Sequence, residues 1–190
     1  MLAYVFWHWS QPAIDRDAYE DHVCAFQQTL AANKPEGFQQ SAVFRIYGAS
    51  WLNTNSEAYE EWYLLDDSAA MDRLNAGAIS GACEEPHNRV AREAADGIGG
   101  LYRLREGTED LDQAKFAIWL GKPTGVTYKN FYADLQSLTS QTGVALWGRQ
   151  MTLGPTTEFC LHSQDSIELP PGYSGHTLNL HLVYPCSSFV

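Results

Sequence analysis

Basic residues are scarce in this chain: 12 Lys and Arg stand against 23 Asp and Glu in 190 residues, a formal net charge of −11. That balance excludes nucleic acid as a partner, because phosphate contacts need clustered cations. An anionic membrane surface is excluded for the same reason. No apolar run approaches the length of about 20 residues that spans a bilayer. The opening Met1-Leu2-Ala3-Tyr4 has no basic region or cleavage site, so the sequence predicts no signal peptide and a cytoplasmic protein. Cys24, Cys83, Cys160 and Cys186 are scattered without a C-x-x-C pair, which points to free thiols instead of bridges or a zinc site. There is no phosphate loop either, since Gly97-Ile98-Gly99-Gly100 enters a strand instead of opening a helix.

What the chain has is apolar and aromatic mass. Hydrophobic residues make up 45% and aromatics 13%, enough for a substantial core. Two stretches echo one another, Tyr4-Val5-Phe6-Trp7-His8-Trp9 and Phe116-Ala117-Ile118-Trp119-Leu120. Each precedes a helical stretch and then a two-strand segment with Arg on one strand and Glu on the other. In the first half, a strand over 2–9 leads to a helix over 16–32 capped by Asp15, with Tyr19, His22, Val23, Phe26 and Leu30 on one face. Strands at 41–47 and 59–65 follow, then a helix from Asp66 or Asp67, a helical run after Pro86, and a strand over 99–105. The order is β-α-β-β-α-β, the ferredoxin-like plan.

Residues 108–113 are acidic and turn-rich, and serve as a linker between units at 1–107 and 114–190. The second half repeats the plan with a strand at 115–121, a helix near 126–141 and strands at 144–152 and 156–162 joined by Leu153-Gly154-Pro155. Ser163 to Gly175 is too short and too broken for a second helix, so this copy is abbreviated before its last strand, 177–184.

This order, with Tyr59-Glu60-Glu61-Trp62-Tyr63-Leu64 followed by Leu74-Asn75, resembles the dimeric α/β-barrel superfamily. The resemblance implies an α+β fold in which two tandem ferredoxin-like units form a pseudo-dimeric α/β barrel within one chain. Members of that superfamily include cofactor-independent oxygenases, haem-degrading enzymes, haem peroxidase relatives and isomerases. The resemblance therefore implies a fold and leaves the reaction open. Its haem-binding members carry the ligand in a full second unit, which this chain lacks, so no cofactor is expected. Among the histidines, His87 in the first turn after Pro86 reads as a cap or surface residue.

Alternation on the strands predicts what faces the cleft between the two sheets. If Ala42, Phe44, Ile46, Trp62 and Leu64 meet the helices, then Arg45, Tyr47, Glu61 and Tyr63 line the cleft with Arg103. The expected register pairs Arg45 with Glu61. In the second half, Arg149 is expected opposite Glu158 and Trp147 opposite Cys160, with His162, Asn179 and His181 on the cleft side. No three of these converge at metal-ligand spacing, so no metal site is expected. The working expectation is a small aromatic, polyketide-like or acidic ligand in this cleft, transformed without a cofactor by oxygenation or isomerisation, with Arg45, Arg103 and Arg149 holding an oxygen and His8 or His181 moving a proton. The alternatives are a non-catalytic interaction or stress-associated module with a packed interior, and a haem-binding relative. Monomer and homodimer are both compatible with the pattern.

Overall fold

Both faces of a strand must be covered if the strand is apolar throughout, and the opening strand is covered on both. The computed structural model of the chain describes residues 1–52, 54, 57–150 and 156–185. Among these, the first half forms β1 (Leu2–Ser10), α1 (Arg16–Ala32), β2 (Phe38–Ile46), β3 (Ala58–Leu65), α2 (Ser68–Ala78), α3 (Glu84–Glu93) and β4 (Ala94–Gly107). The second half forms β5 (Phe116–Leu120), α4 (Tyr128–Thr139), β6 (Val144–Arg149), β7 (Phe159–Ser163), β8 (Gly175–Asn179) and β9 (His181–Tyr184). Asp15, Asp67 and Thr127 cap α1, α2 and α4 by accepting the backbone N–H of Ala18, Ala70 and Asn130. The expected turn at Leu153-Gly154-Pro155 lies outside the described residues, as does Cys186.

The strands form one sheet in the order β8-β5-β7-β6-β4-β1-β3-β2-β9. Within it, β4-β1-β3-β2 and β8-β5-β7-β6 have the same plan. The two sets are joined by strands that change partner along their length. The first part of β4 pairs with β1, and its last residues, from Tyr102, pair with β6. Likewise β8 pairs with β5, and β9, one residue later, pairs with β2. The two ends of the sheet order are thus held by a nearly continuous strand, and the sheet closes on itself.

The faces of β2 and β3 are the reverse of the expectation. Ala42, Phe44, Ile46, Trp62 and Leu64 point into the space enclosed by the sheet, where they join Val5, Trp7, Trp119, Ala145, Trp147 and Cys160. Ser41, Arg45, Tyr59, Glu61 and Tyr63 point toward the helices: Ser41 bonds Gln27, and Arg45 lies 2.5 Å from Glu20 of α1. The register also moves by two, setting Arg45 against Tyr59 and Val43 against Glu61. In the second half the faces follow the expectation for β6 and β7. Phe159 and Leu161 pack against Phe131 and Leu135 of α4, and Trp147 opposes Cys160.

The enclosed space is filled, not open. Trp7, Trp62, Trp119 and Trp147 are all fully buried in it. Trp7 donates to Glu60 Oε2 at 2.7 Å and Trp62 to Glu60 Oε1 at 2.7 Å. Glu109, in the expected linker, turns its carboxylate inward to accept from Trp147 and to lie 3.1 Å from His162 Nδ1. Burial by itself would push the His162 imidazole down, but the Glu109 charge outweighs it and holds the imidazole well above its usual value.

A histidine with a raised value in the folded state contributes stability that is fully present below its unfolded value and is lost as pH rises through the folded one. Thermal melts are therefore expected to show the protein losing stability as pH rises above the unfolded value of about 6.5. His162→Asn, which strands a buried carboxylate, is expected to cost roughly 3–5 kcal/mol at neutral pH and to flatten that dependence. Equal pH dependence in the two proteins would contradict the assignment.

Candidate functional site

With the enclosed face filled, the open space lies on the other side of the first half's sheet, beneath its helices. A cavity of about 430 Å³ sits there between β1, β3 and β4 below and α1, α2 and α3 above. Its volume falls in the range of small-molecule sites. Tyr4, Phe6 and His8 reach it from β1, at alternate positions on one face of the strand. Glu61 and Tyr63 reach it from β3, Tyr19 and Phe26 from α1, and Met71, Leu74 and Asn75 from α2. His87 and Val90 come from α3, and Asp96 from the start of β4.

A buried polar chain runs along the base of this cavity. The His8 Nδ1 shares a 2.7 Å hydrogen bond with the Tyr19 hydroxyl. The His8 Nε2 lies 3.2 Å from Glu61 Oε1, an ion-pair contact that is poorly aligned as a hydrogen bond. Tyr63 donates to Glu61 Oε2. Behind Tyr63, Gln27 donates to the tyrosine oxygen at 2.8 Å and accepts from Ser41 at 2.7 Å. Gln27 is fully buried on α1, one position along from Phe26. A buried amide there is tolerated because both of its ends are bonded.

The electrostatics follow from this arrangement. Burial pushes the Glu61 carboxyl up, but the His8 charge and the bonds from His8, Tyr63 and Gln27 win, and the carboxyl is held below its usual value. Tyr19 and Tyr63 are pushed up, first by burial and then by the Glu61 charge. Glu61 is thus an ionised acceptor, and the two phenols stay protonated. A His flanked by a carboxylate and a hydroxyl can take a proton from a bound molecule and hold the resulting positive charge. Among the described residues, no Lys or Arg lines the cavity.

Of the residues expected in one cleft, only His8, Glu61 and Tyr63 meet here. Arg45 is committed to Glu20, and Tyr47 is exposed and donates to Glu57. Arg103 contacts Gln150 at 3.2 Å. Trp147 and His162 belong to the filled interior. Arg149 and Glu158 do face one another through their backbones at 2.7 Å, yet their side chains part. Arg149 bonds the Thr156 carbonyl and Glu158 accepts from Tyr128. Asn179 and His181 are exposed, the latter edge-on to Tyr47. Leu178, not Asn179, is the β8 residue that faces inward.

Tyr19, Gln27 and Ser41 were not selected from the sequence as site residues. A signal was present: Gln27 adjoins the apolar stripe of α1, where a polar residue needs a polar partner on the sheet. His87 does reach the cavity wall, with its ring 5.6 Å from Phe26.

No family model matches the sequence, and no curated protein matches it. Solved structures do. A proposed monooxygenase from Lactobacillus acidophilus NCFM superposes with a TM-score of 0.61 at 10% identity, over 96% of this chain and 94% of that one. A proposed monooxygenase from Fusobacterium nucleatum gives 0.60 at 9% identity, over 96% and 92%. An anthrone oxidase-like protein gives 0.51 at 9%, over 95% and 90%. At these identities the likeness is one of fold, an α+β barrel. No helix among the described residues is long and apolar enough to cross a membrane.

A carboxyl with a lowered folded value contributes stability that is present above its unfolded value and is lost as pH falls through the folded one. Tyr63→Phe removes a donor to Glu61 and an acceptor for the Gln27 amide. Carbon NMR titration is expected to show the Glu61 carboxyl moving up in this variant. Urea denaturation is expected to show a loss of about 1–3 kcal/mol at neutral pH, part of which disappears in acid. An unmoved carboxyl would contradict the network.

Proposed function

We propose that the chain is a small-molecule-binding protein that acts on an uncharged aromatic compound as a cofactor-independent oxygenase. In this reading residues 1–107 and 114–190 are tandem ferredoxin-like units joined by 108–113, and the pseudo-dimeric barrel is complete in one chain. The exchange of β4 and of β8-β9 between the two halves supports it, since no second chain is needed to close the sheet. A monomer is the expected state.

The observation that carries the functional reading is the His8–Glu61 contact, with Tyr19 on the other ring nitrogen, at the base of an aromatic cavity that lacks a cation. Such a base accepts a proton from an acidic C–H or O–H through the Tyr19 hydroxyl, which passes its own proton to His8 Nδ1 as it takes the ligand's, and Glu61 stabilises the imidazolium that forms. The electron-rich anion left behind reacts with dissolved dioxygen. For a methylene beside a carbonyl, dioxygen adds at carbon, and loss of water from the peroxide leaves a new carbonyl group. Aromatic walls position the rings. Glu61 and Asp96 make the site unfavourable for acids, which supports an uncharged aromatic ligand over an acidic one. The monooxygenase-like fold neighbours add support by analogy only.

Anthrone is a suitable probe because its methylene is acidic and its oxidation to anthraquinone consumes one dioxygen and releases one water. Wild-type protein is expected to accelerate oxygen uptake with no added cofactor. His8→Ala is expected to lower the rate by about 10²–10⁴-fold, while Arg149→Ala, far from the cavity, leaves it unchanged. Uncharged hydroxymethylanthracene is expected to bind at least about tenfold more tightly than anthracenecarboxylate. The filled barrel interior favours a second reading, a non-catalytic interaction module, and absence of both uptake and binding would select it.

A further inference from the structure

The floor of the cavity is a row of rings laid nearly parallel to one another. Tyr63 and Tyr4 have centroids 6.0 Å apart with planes inclined by 29°, Tyr4 and Phe6 are at 6.1 Å and 22°, and Phe6 and His8 are at 5.6 Å and 20°. Side chains on a sheet ordinarily stand up from it. These lie down across β4, because β4 has no side chain where they rest. Phe6 lies over Gly97, where a Cβ would come within 2.3 Å of its Cζ. Tyr4 lies over Gly99, where a Cβ would come within 2.6 Å of its hydroxyl and 2.7 Å of its Cε2. Both clashes are far below any contact that real Cβ atoms make, so a side chain at either position would lift the ring. Both residues line the cavity, so a ring displaced from the sheet moves toward it.

The same floor runs on beyond Tyr4. A second pocket of about 250 Å³ lies over Gly99, Gly100 and Leu101 beneath Met71, sharing Tyr4 and Met71 with the first. The two spaces therefore form one elongated cavity whose row of rings ends at His8, the group positioned to move a proton. A fused-ring molecule fits such a space face-on, and each offset ring contact contributes about 0.5–1.5 kcal/mol beyond area alone.

Resting on the reading that this cavity binds uncharged aromatics, we propose that Gly97 and Gly99 are its specificity-determining residues. By leaving Phe6 and Tyr4 flat on the sheet they keep the cavity deep enough for a fused-ring ligand. A residue with a side chain at either position confines the site to single-ring molecules. The selection is steric, so it acts on ligand size and leaves the acid–base group at His8 untouched.

The test uses two probes, hydroxymethylanthracene followed by its fluorescence and phenol followed by NMR, with folding of every variant checked by circular dichroism. Gly97→Ala is expected to weaken the three-ring probe by at least about tenfold while phenol stays within about twofold. Adding Phe6→Leu to Gly97→Ala removes the clashing ring end and is expected to restore three-ring binding. Should Gly97→Ala fail to fold, the same split is read on Gly99→Ala and on the double variant. Unchanged three-ring binding in a folded Gly97→Ala protein overturns the inference while leaving the functional reading in place. Equal loss of both probes overturns it too, since a steric filter must discriminate by size. A wild-type protein that binds neither probe overturns the functional reading and this inference together.

Discussion

One carboxylate, Glu60, receives the indole N–H groups of both Trp7 and Trp62 in a space sealed by the sheet. Two large side chains from adjacent strands are thereby fixed in orientation at the centre of the protein. Trp119 and Trp147 pack around them, and Glu109 brings the segment between the two halves into the same cluster through Trp147 and His162. An unpaired buried charge is costly, so such a cluster holds only when its members are all present. The two halves are joined through it as well as through the exchanged strands. It also fills much of the enclosed face with buried tryptophan.

The consequence for function is one of sides. A sheet with one face committed to tryptophans can offer a site only on the other, and there the helices of the first half stand off far enough to leave a cavity. α3 has no fully buried residue, which is what a helix roofing an open space looks like. In the second half α4 settles Phe131 and Leu135 directly onto Phe159 and Leu161. The two halves share a plan but have divided the work. One keeps a polar chain from Ser41 to Tyr19 under a roof, and the other is packed solid.

Much of the fold is legible in the residues. The helix over 16–32 and its Asp15 cap, the strand order of the first half, the missing second helix of the second half and the pairing of Trp147 with Cys160 follow from periodicity and turn chemistry. The side assignment in β2 and β3 does not. Alternation separates Ala42, Phe44 and Ile46 from Ser41, Val43 and Arg45, but the rule that the apolar set meets the helices presumes that the other face is wet. Here both faces are buried. The more apolar set goes to the fully enclosed side, and the mixed set meets amphipathic helices that carry Gln27 and Glu20 as partners. Inverting that assignment brings Glu61 and Tyr63 into the cavity with His8 and sends Arg45 to Glu20 of α1. Glu60 was passed over because a charged residue between strands reads as exposed until the two indoles that satisfy it are in place.

The claim that the functional space lies under the helices, and not inside the barrel, is tested most directly by nitrogen-edited NMR during titration with hydroxymethylanthracene. The ring nitrogens of His8 and His87 are predicted to shift with the probe. The indole N–H signals of Trp62, Trp119 and Trp147, on the sealed face, are predicted to stay in place. Shifts confined to those indoles, with His8 unmoved, would place the ligand in the barrel interior and contradict the account.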